Sequence, residues 1–94
     1  MTRKDELRRM RTEVYEEVLG ILSGTSEEHP VECNIEVDVP GMDEEFCPTI
    51  VSTYSDGEDI WVKYEGMGGY DDFNNLYVEQ MCDVADELKY YIKR

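Results

Sequence analysis

Residues 49–65 read TIVSTYSDGEDIWVKYE. At their centre stands Asp56-Gly57, a dipeptide that readily takes the positive φ angles of a two-residue hairpin turn, with β-branched and aromatic residues on either side. The pattern predicts a strand from about Thr49 to Ser55 and another from about Glu58 to Glu65, antiparallel and joined directly. With Asp56 and Gly57 as the central turn residues, Thr53 faces Ile60, Ser52 faces Trp61, Val51 faces Val62 and Ile50 faces Lys63. Val51, Thr53, Ile60, Val62 and Tyr64 then point to the core, while Ile50, Ser52, Tyr54, Asp59, Trp61, Lys63 and Glu65 point away from it. A one-residue slip would exchange the two sets.

Upstream, residues 31–40 read VECNIEVDVP. Val31, Cys33, Ile35, Val37 and Val39 alternate with Glu32, Asn34, Glu36 and Asp38, the period of a strand with one buried face. The strand, about 31–39, ends at the turn signal Pro40-Gly41, and an acidic loop with Asp43, Glu44 and Glu45 follows. Helical spacing runs from Thr2 to Leu22 through Leu7, Met10, Val14, Val18, Ile21 and Leu22, with Thr2 as N-cap and Gly24 as the stop. It returns from about Asp72 to Lys93 through Tyr77, Met81, Val84, Ala85, Leu88 and Ile92, after the glycine-rich loop GMGGYDD. The order αβββα predicts an α+β fold spanning residues 1–94 as a single domain, a three-stranded antiparallel meander with two helices packed on one face. The other face stays open to water or to a partner.

The charge is unusual. The chain carries 23 acids against 9 Lys and Arg, net −14, and residues 13–88 hold 21 of those acids with a single base, Lys63. Such a body repels nucleic acid and anionic membrane and attracts basic partners. Apolar residues still make up 40% of the chain, enough for a core. No apolar run spans a membrane and the amino terminus has no secretory pattern, so the expected address is cytoplasmic. Cys33, Cys47 and Cys82 are odd in number and show no metal-ligand spacing, which predicts reduced, buried thiols.

Asp and Glu are poor strand formers, so an acidic strand face needs a reason. Glu36 and Asp38, two residues apart on that strand, lie about 6.7 Å from each other, too far for easy collapse onto one metal ion. Beside them, Tyr54 and Trp61 offer the anchors preferred at interfaces, which receive Arg by cation–π contact while carboxylates accept its bidentate bonds. The expected partner-binding residues are Glu32, Glu36, Asp38, Asp43, Glu44, Glu45, Tyr54, Asp56, Glu58, Asp59, Trp61 and Glu65. In size, in acidity and in the order helix, three strands, helix, the chain resembles the small phage-encoded inhibitors that act as DNA mimics, anti-CRISPR proteins among them. The resemblance implies blockade of a nuclease or another nucleic-acid-binding protein by occupation of its basic surface, with no catalysis by this chain.

Catalytic and cofactor signals are weak. His29 is the one histidine and sits in the loop TSEEHP, and Cys33 falls on an inward strand face that suppresses its thiolate. GMGG at 66–69 lacks the Lys-Ser or Lys-Thr of a phosphate loop and is flanked by Glu65, Asp71 and Asp72, although Met67, Tyr70 and Phe73 could join an interface. Neither an enzymatic function nor a cofactor is expected. The alternatives are divalent-metal binding by the carboxylates of DEE 43–45, DGED 56–59 and DD 71–72, a generic acidic interaction module, or adaptation to high salt. Five bases among residues 1–12 oppose the dipole of the first helix and could contact acids of the same chain or of a second copy in a homodimer.

Overall fold

The computed structural model describes residues 3–39 and 47–92 of the 94-residue chain. Helix α1 (Arg3–Ile21) leads into β1 (Val31–Glu36), β2 (Thr49–Ser55), β3 (Ile60–Tyr64) and β4 (Tyr70–Asp72), and helix α2 (Val78–Tyr91) follows. The strands pair antiparallel in chain order. The expected α+β architecture of a meander bracketed by two helices is the one observed, with a short fourth strand added to the expected three. Thr2, Pro40-Gly41 and Asp43-Glu44-Glu45 lie outside the described residues.

The core lies between the sheet and the helices. Val14, Val18 and Leu22 recur every fourth residue and bury one stripe of α1. Met81, Val84, Ala85 and Leu88 do the same for α2, and Ile35, Ile50, Ile60, Val62 and Tyr64 supply the sheet side. α1 packs against β3 and α2 against β1, so both helices cover one face. They run side by side in the same direction, because Arg11 reaches Met81 while Glu17, farther along, pairs with Lys89 at 3.1 Å. Two hydroxyls join the layers. Tyr15 Oη accepts from Ile60 N at 2.9 Å, and Thr25 Oγ1, just past the end of α1, donates to Leu22 O and accepts from Ser55 N at 3.0 Å.

The hairpin departs from the two-residue turn. Ser55 pairs with Ile60, leaving a four-residue loop from Asp56 to Asp59, with Thr53 opposite Val62 and Tyr54 opposite Trp61. Asp56 accounts for the difference, since its Oδ1 accepts from Glu58 N at 2.9 Å and Asp59 N at 2.8 Å, an Asx turn that keeps the loop wide. Register moves by two residues, so the faces of Thr53, Tyr54 and all of β3 stay as expected. An irregularity between Ile50 and Ser52 then inverts the start of β2. Ile50, expected outward, is fully buried opposite Tyr64, and Val51, expected in the core, is half-buried.

The second helix also starts later than expected. Asp72 Oδ1 accepts from Asn74 N at 2.9 Å and caps a 3-10 turn over Phe73–Asn75, and Tyr77 is extended before α2 begins. Asn and Asp bond locally to the backbone and favour such turns over helix. Tyr77, assigned from sequence to the apolar helix face, is 52% exposed, whereas Phe73, offered as an interface residue, is buried. Of the thiols expected to be buried, Cys33 and Cys82 are half-buried and Cys47 is exposed, all three unpaired.

Candidate functional site

Cross-strand pairing orders the face away from the helices into rows. Glu32, Ser52, Lys63 and Tyr70 form one row across all four strands. Tyr54, Trp61 and Asp72 form the next, toward the hairpin loop. Glu36 pairs with Thr49, whose carbonyl accepts from Glu65 N at 2.8 Å, so exposed Glu36 and Glu65 flank the far end. Rows two residues apart along a strand are separated by about 6.7 Å, and neighbouring strands by about 4.8 Å. The result is a centre of Tyr54, Trp61 and Tyr70 with the base Lys63 among them, and carboxylates at its edges.

The centre is fixed by its own contacts. Tyr54 and Tyr70 meet edge to face with centroids 4.9 Å apart, and Ser52 Oγ lies 3.3 Å from Tyr70 Oη. Trp61 Nε1 donates to Asp56 Oδ2 at 3.1 Å. Hydrogen bonds from Asp59 N, Glu58 N and the Trp61 indole hold the Asp56 carboxyl below the usual carboxylate range, so it stays charged. Tyr54, Trp61, Lys63 and Tyr70 are all half-buried.

Of the residues predicted from sequence, Glu32, Glu36, Tyr54 and Trp61 share this face. Asp56, Glu58 and Asp59 are exposed together in the loop at its edge, and Glu65 is exposed at the opposite end. Asp38 is exposed just beyond β1 and accepts from Cys47 Sγ at 3.1 Å, a bond that pushes the Cys47 thiol up. Asp43, Glu44 and Glu45 are outside the described residues. Sequence reasoning missed Asp72 and placed Tyr70 in a loop, because the strand that carries them is three residues long. The Gly68-Gly69 signal before Tyr70, read as a flexible turn, marks the corner that admits that strand.

The chemistry elsewhere is subdued. Burial, with Glu87 nearby, pushes the Cys33 thiol up to about 11. His29 is an exposed loop residue whose backbone N–H bonds Ser26. Among the described residues no three His, Cys, Asp or Glu side chains converge to hold a metal, and no helix is long and apolar enough to cross a membrane. No family model, curated protein or solved structure matches the chain, and the reading of this face rests on its geometry and charge.

Proposed function

We propose that the open sheet face binds a basic, nucleic-acid-binding protein and occupies the surface that nucleic acid would otherwise fill. The observation that carries this reading is the uncovered aromatic centre of Tyr54, Trp61 and Tyr70, set between the carboxylates of β1 and those of the hairpin loop. Aromatic rings supply anchoring area and accept Arg by cation–π contact, and the carboxylates stand where phosphates would. The excess of 21 acids over one base in residues 13–88 draws such a partner from a distance. In this reading the chain acts by occupancy and catalyses nothing.

The test is retention of nucleic-acid-binding proteins from nuclease-treated lysate on the immobilised protein, beside a variant combining Glu32→Lys, Glu36→Lys and Asp38→Lys. The expected result is a discrete retained protein that DNA displaces and that the variant binds at least about tenfold more weakly. Retention that is indiscriminate, or indifferent to the reversal, would reduce the carboxylate row to a solvated strand face.

A further inference from the structure

Five bases crowd residues 1–12, and an acidic recognition face has no use for them. Two have partners. Arg9 pairs with Glu13 at 4.0 Å, and Arg11 donates to Asn74 O at 2.7 Å, to Asn74 Oδ1 at 3.1 Å and to Met81 Sδ at 3.3 Å. Arg3, Lys4 and Arg8 have no carboxylate within 4.0 Å among the described residues. Instead they line, with Arg11, a groove of about 440 Å³ between the first turns of α1 and the start of α2. Leu7, Val78 and the half-exposed Tyr77 supply its apolar surface, and Glu79 is the one acid in the lining.

Within the chain this placement is unfavourable. Lys4 and Arg8 are like charges four residues apart on one helix, and the parallel course of α1 and α2 brings both positive helix ends to the same place. An anion in the groove relieves both repulsions. Its chemistry is narrowed by the surroundings. A free phosphate leaves the apolar surface uncovered, whereas a membrane or a nucleic acid spreads its charge over Glu6, Glu13, Glu16 and Glu17, which α1 turns to solvent. A short peptide meets the groove alone, and at physiological ionic strength it senses charges only within about 8 Å.

We propose that this groove docks a short acidic segment of a partner protein, its carboxylates between Arg3, Lys4 and Arg8 and an apolar side chain on Leu7, Tyr77 and Val78. The groove belongs to the helix layer and the proposal stands apart from the sheet-face reading. The chain then carries two docking surfaces of opposite charge.

A fluorescein-labelled peptide of sequence EEFLEE, titrated with the full chain and followed by anisotropy, tests it. Saturable binding is expected, weakened about tenfold or more when Arg3→Ala, Lys4→Ala and Arg8→Ala are combined. A similar loss is expected when the peptide becomes EEGGEE, because one buried apolar side chain accounts for about tenfold or more. Tyr77→Ala weakens binding several-fold, and Arg9→Ala, outside the groove lining, leaves it unchanged. Circular dichroism and urea unfolding of each variant separate lost binding from lost fold. No saturable binding overturns the proposal. So does equal affinity for EEFLEE, EEGGEE and inorganic phosphate, or tighter binding to phosphatidylserine vesicles. Concentration-dependent sedimentation abolished by the same three substitutions overturns it in favour of a second copy of this chain.

Discussion

Two tyrosines, Tyr15 half-buried and Tyr64 buried, show how the same group helps or harms according to its partner. Tyr15 Oη accepts the backbone N–H of Ile60, a residue with no exposed surface, at 2.9 Å. Tyr15→Phe orphans that donor and should cost about 1–2 kcal/mol in urea unfolding. The Tyr64 hydroxyl is buried and has no hydrogen-bond partner among the described residues. Tyr64→Phe removes an unsatisfied polar atom while keeping the ring, so it should be neutral or stabilising by up to about 1 kcal/mol. Alkali sharpens the contrast. Burial, with Asp71 nearby, pushes the Tyr64 hydroxyl up to about 12 from its usual 10.0. The neutral form is the one the fold accommodates, so that contribution is complete below 10 and is lost as pH rises through 12. The advantage of Tyr64→Phe over the wild type should therefore grow between about pH 8 and pH 11, read from urea midpoints at each. An unchanged difference would mean that the hydroxyl reaches solvent.

At the scale of elements, the long periodic segments were legible and the short polar ones were not. The stripe Val14, Val18, Leu22 and the alternation in residues 31–39 are hydrophobic patterns that tertiary packing reinforces; α1 forms close to its expected bounds, whereas β1 ends at Glu36, about three residues before the expected end, and leaves Asp38 beyond the strand. β4 is Tyr70-Asp71-Asp72, too short and too acidic to show a period, yet it supplies Tyr70 and Asp72 to the candidate face. The hairpin register turned on Asp56. As a turn-forming side chain it favours the wider loop through bonds to Glu58 N and Asp59 N, which the dipeptide Asp-Gly alone does not reveal. Ile50 changed faces for a different reason, an extra residue in β2 near Val51, invisible in the sequence because Ile, Val and Ser all fit a strand. The link between α1 and β2 is similarly local. Thr25 Oγ1 bonds Leu22 O and Ser55 N, so Thr25→Ala removes both contacts and should cost about 1–2 kcal/mol. Thr25→Ser should restore most of that stability, and failure to do so would place the loss in the methyl group.

Over the whole molecule, charge sets conditions that no single contact does. Three ion-pair contacts join the described residues, among Arg9, Glu13, Glu17, Asp86 and Lys89, and all these side chains are largely exposed. Exposed pairs contribute about 0–1 kcal/mol each, so screening them removes little. Against them stands a net charge of −14, whose self-repulsion is greater in the folded chain than in the expanded one. Salt should therefore stabilise this protein. Raising NaCl from about 0.01 M to about 0.1 M shortens the screening length from about 30 Å, comparable with the 32 Å middle extent of the molecule, to about 10 Å, well below its 22 Å shortest extent. The free energy of unfolding should rise over that interval by on the order of 1 kcal/mol, seen as a higher urea midpoint with an unchanged slope. Combining Glu58→Gln, Asp59→Asn and Glu65→Gln, three exposed acids at the two ends of the candidate face, should reduce the salt response. A flat response in the wild type would show that local pairs and bound counterions already neutralise the body. A response that is strong in the wild type and unchanged in the triple variant would place the repulsion on the helix layer, where Glu13, Glu16, Glu17, Asp83, Asp86 and Glu87 are exposed. The carboxylates of the sheet face would then be tolerated without strain, and their number would reflect recognition more than the balance of charge.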